Sequence, residues 1–129
     1  LEPDQLQKLG FSHQKARAML ELAQAISLNR LDLNELISLE DAAAVTRLRQ
    51  LRGVGRWTAE YVLLRGLGRL NIFPGDDVGA RNNLRRWRRL RESLDYAGVA
   101  RTLARWQPYA GLIYFHLLLD SLTQKGLVP

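Results

Sequence analysis

The chain has 129 residues and a mass of 14.7 kDa, which at roughly 100–200 residues per domain leaves room for a single domain, residues 1–129, and excludes a second complete one. Hydrophobic residues make up 47% and charged residues 25%, a globular mix that excludes a disordered or fibrous chain. Nineteen Lys and Arg against 13 Asp and Glu give a net charge of +6, which favours a polyanionic partner, nucleic acid or an anionic membrane surface, while the absence of cysteine excludes disulfides, a thiol nucleophile, Cys-ligated zinc and an iron–sulfur cluster.

No stretch alternates strictly between apolar and polar residues, and several repeat apolar residues at three- and four-residue spacing, so the fold class is all-α. Pro3 suits the first turn of a short helix over residues 3–9, which Gly10 ends. Ser12 can cap a longer helix with Ala16, Met19, Leu20, Leu22, Ala23 and Ile26 inward. Asn29 and Asp32 mark the next break. Two short helices follow, over residues 33–37 and from Asp41 on, the second with Ala44, Val45, Leu48 and Leu51 inward.

Gly53 and Gly55 interrupt the pattern, which resumes over residues 57–67 and gives way to a loop containing Gly68, Asn71, Pro74 and Gly75. A helix starting at Asp76 or Asp77 carries Leu84, Trp87 and Leu90 on one stripe, with Arg81, Arg85, Arg86, Arg88, Arg89 and Arg91 around it and no acid between them. Six arginines repel one another unless an anion compensates, so some of them are expected to meet phosphate. Another helix spans residues 96–106, and Pro108 opens a last apolar one. The apolar stretch of residues 109–119 is far short of the roughly 20 needed to span a bilayer. The arginine-rich helix also lacks the broad apolar face of a membrane-surface helix, so a membrane partner is not expected. His116, within this apolar helix, is expected to be buried and hydrogen-bonded rather than catalytic. The sequence opens on Leu1 with no signal-peptide pattern, and reads as part of a longer chain.

Two segments carry chemistry. In LRGVGRWTA (residues 51–59), two glycines one residue apart permit positive φ and let peptide N–H groups approach a ligand. The helix that follows turns its unpaired N–H groups to the same point, a combination suited to phosphate, although GxG alone also describes an ordinary tight turn. In FPGDDVGARNNL (residues 73–84), two aspartates sit at the start of a helix, where both could simply be caps, a role that suits Asp76 in particular.

Taken together, these segments resemble the hairpin and the acidic motif of the helix-hairpin-helix DNA glycosylase superfamily, at the expected spacing. LGFSHQKARAMLELAQAI (residues 9–26) resembles the helix preceding the hairpin in its alkylated-base branch, the 3-methyladenine DNA glycosylase II type. The resemblance implies an orthogonal helical bundle, incomplete at the N-terminus because relatives carry further helices before the segment that matches Leu1. A missing segment or a second copy would then complete the lobe. It also implies hydrolysis of the N-glycosidic bond of alkylated purines in double-stranded DNA, in the cytoplasm beside a bacterial nucleoid or in a nucleus.

The acid required in this family matches Asp77, and a carboxylate there would stabilise the positive charge that builds on the sugar, or orient water. Where relatives with lyase activity place a Schiff-base lysine, this chain has Trp57, so strand cleavage is not expected. Trp57 and Tyr61, at i and i+4, would form an aromatic wall for a flipped, cationic base. Leu118 and Leu119 stand where the branch often has aromatics, which leaves the far wall of the pocket open. Gly53, Gly55, Arg56 and Thr58 would hold a phosphate, and the carbonyls of Arg49, Leu51 and Val54 a Na+ or K+ ion; no other cofactor is implied. Two alternatives remain at this point: a non-catalytic helix-hairpin-helix module or inactive fragment that binds DNA through its backbone, and an inert helical interaction fragment. The first leaves Asp77 unexplained, since an uncompensated carboxylate facing DNA repels phosphate.

Overall fold

The computed structural model describes residues 2–128. Every regular element among them is helical, and the chain folds as two compact units that meet in sequence between Gly55 and Arg56.

The first unit holds α1 (Pro3–Gln7), α2 (His13–Ser27), α3 (Leu33–Ser38) and α4 (Asp41–Arg49). Its boundaries follow local chemistry. The Ser12 hydroxyl accepts the Lys15 N–H at 3.3 Å and starts α2. Asn29, at φ +53°, ends it: its N–H donates to the Ile26 carbonyl and the N–H of Arg30 to that of Ala25, at 3.0 and 2.8 Å, closing a left-handed helix cap. Asp32 then caps α3 by accepting the Asn34 N–H. Ala16, Leu31, Leu36, Ala44 and Leu48 form the buried interior. Of the inward stripe expected on α2, only Ala16 is buried; Met19 is 44% exposed, and Leu22, Ala23 and Ile26 are also exposed. Its packing partner α1 is five residues long and contributes no buried side chain, too little to cover that face.

The second unit holds α5 (Arg56–Tyr61), α6 (Val78–Trp87), α7 (Tyr96–Leu103) and α8 (Ala110–Gln124). The helix expected over residues 57–67 does not stay regular: after Tyr61 it widens into a π-helical turn, Val62–Gly66, with the Leu67 N–H donating five residues back to Val62. α6 is also shorter than the arginine series, because Arg89 adopts φ +53° and the N–H groups of Arg89 and Leu90 return to the carbonyls of Arg86 and Arg85. Arg88, Arg89 and Arg91 therefore lie beyond the helix, and of the expected stripe Leu84 is fully buried while Trp87 and Leu90 are exposed.

Leu64, Phe73, Ala80, Leu84, Val99, Leu103, Ala110, Tyr114 and Leu117 form one core, in which α6 and α8 pack together. α8 begins in close contact with the preceding loop: the Gly111 N–H donates to the Leu70 carbonyl at 2.7 Å. A Cβ on Gly111 would lie 2.5 Å from Leu64 Cδ1 and 2.7 Å from the carbonyl oxygens of Leu70 and Ile72. Gly111→Ala, which helix propensity alone would make stabilising, should instead destabilise the second unit by about 1–3 kcal/mol, measured by urea denaturation followed through tryptophan fluorescence.

Candidate active site

A loop leading into α6 carries the acidic motif, and it is anchored from below. Phe73, Pro74 and Gly75 are buried. Glu60 of α5, only 5% exposed, accepts the Gly75 N–H at 3.1 Å and the Tyr96 hydroxyl at 2.5 Å. Gly75 is close enough to the Tyr96 ring that a Cβ there would come within 2.7 Å of it. Arg56 stacks over the other part of this cluster, its guanidinium 3.8 Å from the Tyr96 ring centroid, and donates two hydrogen bonds to Asp76, at 2.6 and 3.1 Å. Burial pushes the Glu60 carboxyl up, against the two donors that favour its charge, and burial together with the bond to Glu60 pushes the Tyr96 hydroxyl up to about 12.

The two aspartates take different roles. Asp76 pairs with Arg56 rather than capping the helix, contrary to the expectation that the cap role would suit it; the guanidinium is a stronger partner than a peptide N–H. Asp77 is the N-cap of α6: its Oδ1 accepts the Ala80 N–H at 2.9 Å, and its Oδ2 accepts the Tyr114 hydroxyl, also at 2.9 Å. Asp77 itself is half-buried.

From Tyr114 a row of rings runs outward. Tyr114 packs edge-on against Phe73 and Tyr61, with centroids 5.3 and 6.2 Å apart, and Tyr61 lies 5.7 Å from Trp57. Trp57 is 45% exposed. The two aromatics expected to meet a base thus sit on one face of α5, and Tyr114 connects that face to Asp77. The Tyr61 hydroxyl accepts from Arg65 at 2.7 Å.

Residues 1–108 match the model of the HhH-GPD superfamily of base excision DNA repair proteins. The chain belongs to this family. It is 34% identical to DNA-3-methyladenine glycosylase 1 of Schizosaccharomyces pombe over 63% of its length and 28% identical to DNA-3-methyladenine glycosylase 2 of Escherichia coli over 90%. It spans 36% and 38% of those two relatives. In structure it resembles the S. pombe 3-methyladenine DNA glycosylase solved with abasic DNA, with a TM-score of 0.78 and 28% identity, over 91% of this chain and 57% of that one. A DNA-3-methyladenine glycosidase from Bacillus halodurans superimposes with a TM-score of 0.76 and 25% identity, over 91% of this chain and 54% of that one.

Within this HhH-GPD chain the hairpin residues are placed as follows. Gly53 adopts φ +76° and its α-carbon approaches α2, where a Cβ would lie 3.2 Å from that of Ala18; Gly55 is not in the left-handed region, so only the first glycine is required by the turn. Thr58 is half-buried on α5. The Arg56 side chain, expected to help hold phosphate, donates two of its five N–H groups to Asp76 and stacks on Tyr96. Of the three carbonyls expected to hold a monovalent cation, that of Leu51 already accepts the Val54 N–H at 3.2 Å, leaving it one lone pair. No group of three or more His, Cys, Asp or Glu able to hold a metal occurs among the described residues, and no helix there is long and apolar enough to cross a membrane.

α8 holds two surprises. His116 is exposed rather than buried, on the wall of an open cavity of about 680 Å³ shared with Arg86, Trp87 and Asp120; it falls on the outer side of a helix whose inward positions are Ala110, Tyr114 and Leu117. Leu118 and Leu119 are exposed too, so the α8 aromatic beside Asp77 is Tyr114. In the arginine series, Arg81 donates to the Leu94 carbonyl at 3.4 Å and Arg88 lies over the rings of Trp87 and Trp106, whereas Arg86, Arg89 and Arg91 are exposed.

The raised Glu60 carboxyl has a consequence for stability. The folded state holds that proton more readily than the unfolded state, so stability should fall as pH rises from the ordinary glutamate range through the raised folded value, and level off above it. Denaturant titrations between about pH 4 and 8 should show this slope in the native protein and lose it in Glu60→Gln.

Proposed function

We propose that this chain carries the catalytic portion of a monofunctional DNA glycosylase that releases alkylated purines of the 3-methyladenine type from double-stranded DNA. The observation that supports this reading most is the placement of Asp77: a half-buried carboxylate, fixed through both oxygens, beside a row of rings that ends in the exposed Trp57.

On this reading the damaged nucleotide leaves the stack and its base lies against Trp57 and Tyr61. An alkylated purine is cationic, so electron-rich rings attract it, and it is already a good leaving group that asks for no strong general acid. As the bond to the sugar breaks, positive charge builds on the deoxyribose, and the Asp77 carboxylate opposes it at short range. Water then attacks the sugar and leaves an abasic site. Trp57 occupies the position where a Schiff-base lysine would be needed for strand cleavage, so hydrolysis is the whole reaction. The segment of residues 51–58, with Gly53, Gly55 and Thr58, supplies peptide N–H groups to backbone phosphate, and the exposed Arg86, Arg89 and Arg91 supply charge. A Na+ or K+ ion on the carbonyls of Arg49, Leu51 and Val54 would have a structural role in the hairpin.

The test is single-turnover release of 3-methyladenine and 7-methylguanine from alkylated duplex DNA, by this chain and by a version joined to the helices that precede the matching segment in relatives. Asp77→Asn should lower release by about 10²–10³-fold while duplex affinity stays unchanged and continues to fall with added salt. Duplex binding with no base release by either form would instead leave a backbone-binding module.

A further inference from the structure

We propose that Tyr114 is a positioning residue for Asp77: its hydroxyl, together with the α6 cap, holds the carboxylate in one orientation, so that Asp77 acts as a fixed anion beneath the sugar. The proposal rests on the glycosylase reading above.

The geometry carries it. Tyr114 is 4% exposed, and its hydroxyl donates to Asp77 Oδ2 while the Ala80 N–H donates to Oδ1. A carboxylate held by one oxygen can still turn about its Cβ–Cγ bond; one held by both cannot without breaking a bond. Each oxygen keeps a lone pair for the substrate side. A hydrogen-bond donor also stabilises the charged form of its acceptor. That property suits an electrostatic stabiliser. The proton stays with the phenol, whose own ionisation is pushed up by burial and by the bond to Asp77.

The surroundings make the ring a rigid mount. Tyr114 is wedged edge-on between Phe73 of the acidic loop and Tyr61 of α5. Beside Tyr114 lie Tyr61 and Arg65, which donates to the Tyr61 hydroxyl, and Asp76, next to Asp77 in the chain, is paired with Arg56. None of them donates to Asp77 in place of Tyr114.

Tyr114→Phe removes one oxygen and retains the ring contacts, so the fold is kept. The experiment is the pH profile of single-turnover base release by the native protein, Tyr114→Phe and Asp77→Asn, with duplex affinity measured alongside. In Tyr114→Phe release should be roughly tenfold slower at every pH, with unchanged duplex affinity. Release at the native rate, or a loss of release matched by a loss of duplex affinity, overturns the role of Tyr114 while leaving the glycosylase reading in place. No release by the native protein overturns both.

Discussion

The acidic loop has no helix or strand to hold its course, and yet Asp77 must be presented at its end in a fixed orientation. The constraint that makes this workable is the buried carboxylate of Glu60. Burying a carboxylate is costly, and the cost is acceptable here because the Gly75 N–H and the Tyr96 hydroxyl both donate to it. Those two bonds tie α5, the loop and the start of α7 to one point. Gly75 is needed because only a residue without Cβ fits so close to the Tyr96 ring. The Arg56–Asp76 pair then fixes the residue next to Asp77 from the exposed side, with the guanidinium resting on the same ring. The loop is thus held from inside by the buried Glu60 carboxyl group and from outside by an ion pair.

The cap role of Asp77 is compatible with the chemical role proposed for it. At the N-terminus of α6 a negative charge is stabilised by the helix dipole and by an unpaired peptide N–H. A carboxylate in that position is already oriented and partly removed from water, which are properties wanted of a group that answers positive charge developing nearby. Half-burial strengthens that answer relative to one given in bulk solvent. Asp76 and Asp77, although neighbours, have different partners: one pairs with Arg56, the other with the first turn of α6 and the Tyr114 hydroxyl.

Much of this was legible in the sequence where the signal was local. The helix starts at Ser12 and Asp32, the break at Asn29, the turn at Gly53 and a helix start at Asp76 or Asp77 all depend on residues within a turn of one another. What was not legible depends on long sequence separation. The Tyr114–Asp77 bond joins residues 37 apart, and Tyr96 and Glu60 are 36 apart; no period or spacing announces such pairs. One signal was available in principle: a tyrosine on the inward stripe of an apolar helix, with Ala110 and Leu117, must find a partner for its hydroxyl. The α2 stripe misled because periodicity reports which face is apolar, not whether anything covers it. The arginine series misled because a left-handed cap at Arg89, a residue that rarely adopts that conformation, ends the helix in mid-run.

The central claim is that the Asp77 carboxylate faces positive charge on the sugar. Its most direct test is the ratio of affinities for two duplexes, one with a cationic pyrrolidine and one with a neutral tetrahydrofuran in place of a single deoxyribose, measured for the native protein and for Asp77→Asn. The account expects the native protein to prefer the cationic duplex by about tenfold or more and the variant to show almost no preference. An equal preference in both proteins would mean that Asp77 does not face the sugar, and would contradict the account.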